Sequence, residues 1–286
     1  MGPGWMETLR DTSDLLGLGD VVDANAKIPS DARARVIDVL RSYVDTAHRS
    51  HAERLTLIGT EPLRRATNTN VLADEIREAT GLDLTVLTAR QEAILTFIGV
   101  TLGQPPESPL IVVDIGGGST EISIWTPSQP LRIDNIPIGS SRLSNAIVKH
   151  DPPTTDELDR LFRAAADATD GLKRSRSNGS GGGHAIFVGG TATNVARLDR
   201  LTRKALAGDR RRLAKLPAAA VSARYNVKPR RARQLAAGVA IVDALLEAYG
   251  LDSAEVSEAS LRDGAIISAA RHGDDWADSL EALARG

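Results

Sequence analysis

The sequence of 286 residues contains no cysteine, which excludes disulfide bonds, thiol catalysis and metal sites built from thiolates. Aromatic residues are scarce, with three each of Trp, Tyr and Phe. No apolar run approaches the roughly 20 residues that a membrane-spanning helix needs. The chain does not open with the charged start and apolar core of a signal peptide. A net charge of −2 gives the whole chain no attraction to nucleic acid or membranes. We therefore expect a cytoplasmic protein.

The length and the order of apolar patterns predict two domains of α/β class. A chain of this size divides by default into two domains of about 140 residues each. Strand-like and helix-like patterns alternate along it, which is typical of α/β proteins. A stiff, proline-rich break occupies residues 104–109. We place the boundary there, which gives predicted domains 1–107 and 108–286.

Hydrophobic periodicity and capping residues predict the individual elements. The predicted helices are 31–50, 70–80, 88–102, 154–169, 195–201, 203–216 and 230–249, with a further helix at the C-terminus. The predicted strands are 54–60, 84–87, 110–114, 121–125, 131–138, 184–188 and 254–256, and Asp20-Val21-Val22 also reads as strand-like. Residues 175–183 are polar and glycine-rich, and we predict a mobile loop there.

The stretch from Leu110 to Glu121 carries the strongest chemical signal. A buried strand ends at Asp114, and Gly116, Gly117 and Gly118 follow before Ser119, Thr120 and a second alternating run. Bare glycine amides form a concavity that suits an anionic oxygen. The hydroxyls add donors, and one carboxylate with phosphate oxygens suits Mg²⁺. The pattern favours a phosphate-binding hairpin, although a glycine turn capped by an acid would read similarly.

A second strand runs into a glycine pair later in the chain. Residues 184–188 are strand-like, and Gly189, Gly190 and Thr191 follow directly before a helix. A helix N-terminus presents unpaired N–H groups and the positive end of the helix dipole, which favours anions. Either glycine turn alone is a weak signal. Two such turns indicate a shared phosphate site.

In this combination the chain resembles the exopolyphosphatase/guanosine-pentaphosphate phosphohydrolase (Ppx/GppA) family of the actin-like ATPase superfamily. Residues 112–121 resemble the second phosphate loop of that family, and residues 187–193 resemble its third. Residues 136–143 resemble the strand and helix that follow the second loop, and Leu261-Arg262-Asp263-Gly264 resembles its closing segment. The resemblance extends over nearly the whole chain. It implies two ribonuclease-H-like domains, with the terminal helix able to pack back on the first.

The resemblance also implies an activity and a set of residues. Glu92, in Arg90-Gln91-Glu92-Ala93, matches the family's catalytic base, and Arg64 matches its substrate-facing arginine. Asp114 would hold Mg²⁺ while the two turns hold the terminal phosphoryl group. The implied reaction removes terminal phosphate from polyphosphate or guanosine pentaphosphate (pppGpp) by in-line attack of water. The sequence does not decide between a monomer and a homodimer.

Several positions depart from the family pattern. The family begins with a strand and an Asp-x-Gly-x-Asn-Ser/Thr loop, and nothing similar occurs before Ser30, so we expect an N-terminally truncated first domain, a misassigned start or a degenerate member. Around Glu92 the preceding acidic run is replaced by Ala89-Arg90-Gln91, and Ile94 replaces an arginine. Arg233 stands where the family tends to have an acid. These departures keep open a polyphosphate- or alarmone-binding protein without turnover, and, less favoured, a small-molecule kinase.

Other charged residues have simpler readings. Glu92 could merely complement a helix dipole, and Arg64 could be solvated. The basic residues of 203–215 and 228–233 are expected to be solvated helix faces, with a polyphosphate groove as the sharper alternative. Nucleic acid is not an expected partner, because no aromatic residue interleaves with these charges. The five histidines show no metal-ligand spacing.

Overall fold

A computed structural model describes residues 7–176 and 184–283. It divides the chain into two compact units, Met1–Ala89 and Arg90–Gly286. This division falls earlier than the predicted boundary at 107/108. The helix that begins at Ala89 is buried over most of its surface, and the Ser123 hydroxyl donates to the Ala93 carbonyl at 3.1 Å. These contacts place that helix with the second unit.

The elements within the described residues alternate as an α/β protein requires. The strands are β1 (Leu57–Gly59), β2 (Leu84–Val86), β3 (Leu110–Ile115), β4 (Thr120–Thr126), β5 (Gln129–Ile136), β6 (His184–Val188) and β7 (Glu255–Val256). The helices are α1 (Leu18–Asn25), α2 (Ser30–Arg49), α3 (Glu61–Arg65), α4 (Thr69–Thr80), α5 (Ala89–Thr101), α6 (Ser140–Ile147), α7 (Thr155–Arg176), α8 (Gly189–Ala196), α9 (Arg203–Leu213), α10 (Ala218–Tyr225), α11 (Pro229–Tyr249), α12 (Leu261–His272) and α13 (Leu280–Leu283), with a 3₁₀ turn at Gly273–Trp276.

The first unit is a small helical layer around two short strands. β1 and β2 run parallel, with Leu57 opposite Leu84. Its core joins α1, α2 and α4 through buried residues that include Val22, Leu72 and Ile76. The strand-like reading of residues 20–22 is wrong, because these residues lie within α1. Three residues are too few to distinguish the two-residue period of a strand from one turn of a helix. In the structure these residues are helical, and Val22 is buried.

The second unit is built on a five-stranded sheet of order β5-β4-β3-β6-β7. β3, β6 and β7 run parallel, whereas β4 is antiparallel to both β3 and β5. The predicted β3–β4 hairpin is therefore confirmed. Helix α11 is buried nearly all round and forms the middle of the main core with α7 and the sheet. The apolar run of β3, buried from Leu110 to Val113, reflects a strand covered on both faces.

Helix boundaries differ from the predictions in a few places. Helix α8 begins at Gly189, six residues before the predicted start, because its two glycines form the first turn and do not precede it. Helix α10 was not predicted. The capping box at Thr154 and Glu157 is confirmed by hydrogen bonds in both directions, and α7 runs on to Arg176. The rest of the loop predicted at 175–183 lies outside the described residues.

The terminal helix α12 packs against α5. A side chain at Gly99 would overlap the Ser260 carbonyl, and one at Gly264 would overlap the Leu95 carbonyl. Small residues on both helices therefore permit the close crossing. The sequence prediction places α5 in the first domain, whereas the structure assigns both α5 and α12 to the second unit. Among the described residues, no helix combines the length and apolar character needed to cross a membrane.

Candidate active site

The two glycine turns lie at one edge of the second unit's sheet. β3 and β6 are adjacent and parallel, and Asp114 is the register partner of Val188. Their carboxyl ends therefore meet, and the turn of Gly116–Gly118 faces the turn of Gly189–Gly190. In open α/β sheets this edge is where ligands bind. We call the space formed by residues 114–118 and 189–191 the cradle.

The first turn is held by its carbonyl groups. Each of its three glycine carbonyls accepts a hydrogen bond from the start of α6: Gly116 from the Ser140 N–H at 3.1 Å, Gly117 from the Arg142 N–H at 2.9 Å, and Gly118 from the Arg142 guanidinium. The turn also presses against Gly139, where a Cβ would overlap the Gly117–Gly118 peptide. These contacts fix the orientation of each peptide plane in the turn.

The same contacts leave two amides of the turn available. The Gly116 N–H donates to the Ser119 carbonyl at 3.0 Å and closes the hairpin. The N–H groups of Gly117 and Gly118, in contrast, donate to no backbone carbonyl in residues 7–176 and 184–283. A peptide whose carbonyl is held and whose N–H is open is a preorganised donor for an anionic oxygen.

The second turn approaches the Asp114 carboxylate directly. Gly189 has φ of +84°, and a Cβ on it would overlap Asp114 Oδ1. Glycine is therefore required both by the backbone conformation and by the close approach. The first turn of α8 begins here and points its unpaired N–H groups toward the cradle.

Hydroxyl groups join the two turns to each other. Ser140 Oγ and Thr191 Oγ1 lie 2.8 Å apart, and the Thr191 hydroxyl is 3.4 Å from the Gly116 carbonyl oxygen. Ser140 and Thr191 are both buried. The structure thus brings Thr191 to the cradle as a tie between the turns.

Asp114 is electrostatically unusual. Burial raises the pKa of its carboxyl group, and a hydrogen bond from Thr96 Oγ1 to Oδ2 at 3.2 Å lowers it in part. Among the described residues, Thr96 is its one hydrogen-bond donor. The negative charge of this carboxylate is desolvated and has one hydrogen-bond donor to stabilise it, so a bound cation would stabilise it further.

Glu92 lies one helical turn from this contact. It sits in the first turn of α5, and Thr96 follows four residues later on the same face. Because Thr96 reaches Asp114, Glu92 is on the face of α5 turned to the cradle. Its side chain is 7 % exposed, so a carboxylate here works in a nearly water-free setting.

The hydroxyls of Ser119 and Thr120 are engaged inside the protein. Thr120 Oγ1 donates to the Ile138 carbonyl at 2.7 Å, and Ser119 Oγ donates to Glu121 Oε1 at the same distance. Glu121 is itself buried, stands opposite Asp114 in the hairpin register, and also accepts from Asn135. A part for Ser119 and Thr120 in phosphate binding stays a prediction.

Arg64 belongs to the first unit. It lies on α3, and its guanidinium donates to the Leu87 carbonyl at 2.7 Å, just beyond β2. This contact ties α3 to the end of β2. A phosphate contact of Arg64 stays a prediction.

Sequence reasoning missed the residues that support the cradle. The sequence pattern marks Arg142 only as part of the resemblance over residues 136–143, and it gives no sign of Thr96. From α11, Gln234 donates to Ser141 Oγ at 3.0 Å, and Arg231 Nη2 would be 3.3 Å from a Cβ at Gly190. In the sequence, the arginines of residues 230–233 are the one sign that α11 contributes to the cradle. Their pattern does not distinguish Arg231 from the neighbouring arginines.

The basic residues of α9 mostly face acids. Arg203 pairs with Glu247, Arg210 with Asp159, and Arg212 with Asp199. Paired with acids in this way, the basic residues of α9 form a solvated helix face, as predicted, and supply little of a polyphosphate groove.

No group of three or more His, Asp or Glu side chains within the described residues could hold a metal ion.

Comparison with known proteins adds a family and a fold. A family model described as the Ppx/GppA phosphatase family matches residues 1–272. Exopolyphosphatase 1 of Mycobacterium tuberculosis is 26% identical over 276 residues, covering 91% of this chain and 79% of that protein. Exopolyphosphatase 2 of the same organism is 28% identical over 299 residues, covering 93% of this chain and 91% of that protein. 

A solved structure also resembles this chain. The Aquifex aeolicus Ppx/GppA family member has a TM-score of 0.73 and 28% identity, covering 91% of this chain and 88% of that chain. This likeness confirms the predicted α/β fold of two-domain, actin-like ATPase type.

Proposed function

The chain belongs to the Ppx/GppA phosphatase family and is by that membership a phosphohydrolase; from this premise we propose that it removes the terminal phosphate of inorganic polyphosphate with the help of Mg²⁺. The observation that supports the proposal most is the cradle, in which the carbonyls of Gly117 and Gly118 are held and their amides are open. The two similar exopolyphosphatases favour polyphosphate over other phosphoric anhydrides. The pentaphosphate pppGpp is the second substrate to test.

The proposed reaction gives each of these residues a role. The amides of Gly117 and Gly118 and the first turn of α8 would bind the oxygens of the terminal phosphoryl group. Glu92 would orient a water and take its proton as the water oxygen attacks phosphorus. The bond from phosphorus to the bridging oxygen breaks, and the shortened chain leaves with that oxygen. Amide donors are most effective here because charge spreads over the equatorial oxygens.

The donor set at Asp114 fits Mg²⁺. Mg²⁺ in phosphoryl-transfer enzymes takes one or two carboxylates and completes its shell with phosphate oxygens and water. Asp114 offers one carboxylate whose hydrogen-bond donor among the described residues is the Thr96 hydroxyl, and Glu121 stands opposite it in the hairpin. When bound, Mg²⁺ would neutralise charge that develops on the phosphate oxygens.

Phosphate release from a polyphosphate of defined length tests the proposal. The wild-type chain with Mg²⁺ is expected to release orthophosphate, and Glu92→Gln is expected to lose at least roughly 100-fold of that rate, the lower range for a general base. Asp83→Asn, at an exposed carboxylate of the first unit, is the matched control and should keep full activity. Equal rates for Glu92→Gln and the wild type would remove Glu92 from this role.

Binding without turnover is a second candidate function. Within the described part of the first unit, the sheet has two strands and contributes no glycine-rich turn. The two turns of the second unit could by themselves bind polyphosphate or pppGpp without positioning the water. Tight binding by calorimetry together with no phosphate release would favour this function.

A further inference from the structure

A second polar cavity of the second unit is separate from the cradle. It has a volume of about 210 Å³ and lies between α6, the connection from α6 to α7, the α9–α10 region and the first turns of α11. None of the cradle residues lines it. The proposed hydrolysis gives this cavity no role.

The wall and the rim of the cavity differ in chemistry. Leu213, Leu216 and Val221 form an apolar wall, and Lys149 and Arg233 supply cations. Arg233 is exposed, and its guanidinium makes no hydrogen bond or ion pair with any of residues 7–176 and 184–283. Lys149 Nζ donates only one hydrogen bond there, to the Asn145 carbonyl at 2.6 Å. The rim therefore offers donors to an incoming anion.

The charge balance limits the ligand to a single negative charge. Asp151 also lines the cavity, and its Oδ1 accepts from the Ala218 N–H at 2.7 Å. Two cations, Lys149 and Arg233, and the one carboxylate of Asp151 sum to a net charge of about +1. A phosphate dianion would exceed this charge and would face Asp151, whereas a carboxylate matches both the charge and the flat guanidinium of Arg233.

The volume limits the ligand's size. Sites for drug-sized molecules occupy about 300–1,000 Å³, so this cavity admits only a small fragment. We propose that it binds a small organic monocarboxylate, with a short apolar chain against Leu213, Leu216 and Val221 and the carboxylate at Arg233. Small ligands of this kind bind with dissociation constants of about a millimolar.

Methyl NMR with three matched probes tests the site. Hexanoate carries both chemical features, 1-hexanol lacks the charge, and inorganic phosphate lacks the apolar chain. Hexanoate is expected to shift the methyl signals of Leu213, Leu216 and Val221 with a dissociation constant of about a millimolar. The other two probes should bind at least about fivefold more weakly, the effect of losing one charge-assisted hydrogen bond.

Two arginine variants separate recognition from general charge. Arg233→Gln is expected to weaken hexanoate binding at least about fivefold, whereas Arg224→Gln, an exposed arginine outside the cavity, should leave it unchanged. The proposal is overturned if hexanol binds as tightly as hexanoate, if Arg233→Gln has no effect, or if no methyl signal shifts up to the solubility of the probe. The measurement does not depend on turnover, so it stands whether or not the chain hydrolyses polyphosphate.

Discussion

Two carboxylates of the second unit, Glu157 and Asp114, are held in opposite ways. Glu157, in the first turn of α7, accepts hydrogen bonds from the backbone N–H groups of Thr154 and Lys149 and pairs with His150. Burial acts to raise the pKa of Glu157, but these hydrogen bonds outweigh it and lower the pKa to about 2. Asp114, in the cradle, accepts only from Thr96 among the described residues, and burial raises its pKa.

The difference separates a structural acid from a candidate functional one. Glu157 receives enough donors to stabilise the fold in its charged form. Asp114 has one hydrogen-bond donor among the described residues and a raised pKa, so its charge costs stability and favours a bound cation. The predictions below test this contrast, beginning with the largest effect expected.

Asp114→Asn should lower phosphate release by roughly 100- to 1,000-fold, the range for losing one transition-state charge contact. It should also make the protein more stable. When the pKa of a carboxyl group is higher in the folded state than in the unfolded state, the folded protein becomes less stable as the pH rises through that pKa. At neutral pH the charge of Asp114 therefore disfavours folding. Urea unfolding at pH 7 should therefore show a higher midpoint for the variant. A lower midpoint would show that the Asp114 charge is satisfied inside the fold.

Gly189→Ala tests the close approach of the second turn. An alanine side chain would be strained at φ of +84° and would overlap Asp114 Oδ1, so the turn should shift. We expect roughly 100-fold lower activity, because the N–H donors of the turn would be displaced from the phosphate. Gly81→Ala is the matched control, because Gly81 has φ of +74° with no atom within 4 Å of an added Cβ. That control should lose about 1 kcal/mol of stability and no activity. Equal activity losses in the two variants would show that strain alone is responsible.

Thr96→Val removes the one hydrogen-bond donor that Asp114 has within residues 7–176 and 184–283. Activity is expected to fall about tenfold, the effect of one hydrogen bond to a charged group. Thr96→Ser keeps the hydroxyl and should recover most of the activity. Measurement of kcat and KM for both variants at several Mg²⁺ concentrations checks this, and equal losses in Val and Ser would assign the effect to packing.

Glu157→Gln should leave activity unchanged and reduce stability by roughly 2 kcal/mol at neutral pH. Its lowered pKa means that the wild-type contribution is present above the ordinary carboxyl pKa of 4.5 and is lost as the pH falls toward about 2. Unfolding measured from pH 7 to pH 2 should show the wild type and the variant converging at the acid end. A constant difference across that range would contradict the assignment.

The parts of this account that depend on neighbouring residues could be predicted from the sequence. The hairpin, the capping box at Thr154 and both glycine turns are local patterns, and the structure has them in place. Residues 20–22 were misread because three residues carry too little periodicity. The start of α8 was missed because glycines at a helix N-terminus look like a loop.

The supporting contacts could not be predicted, because each joins distant elements. Thr96 and Asp114 are 18 residues apart on a helix and a strand, and Gln234 reaches Ser141 across 93 residues. The sequence pattern of α5 does not mark Thr96, because the importance of Thr96 lies in its hydrogen bond to Asp114 on β3. The assignment of α5 to the second unit also depends on packing that periodicity does not reveal.

The direct measurement is the chemical shift of the cradle amides on addition of inorganic tripolyphosphate with Mg²⁺. Backbone ¹H–¹⁵N NMR should show the N–H signals of Gly117 and Gly118 moving strongly, with smaller changes at Gly190, because an amide proton that donates to phosphate loses shielding. If the ligand binds while the Gly117 and Gly118 signals stay fixed, the cradle is not where the phosphoryl group is held.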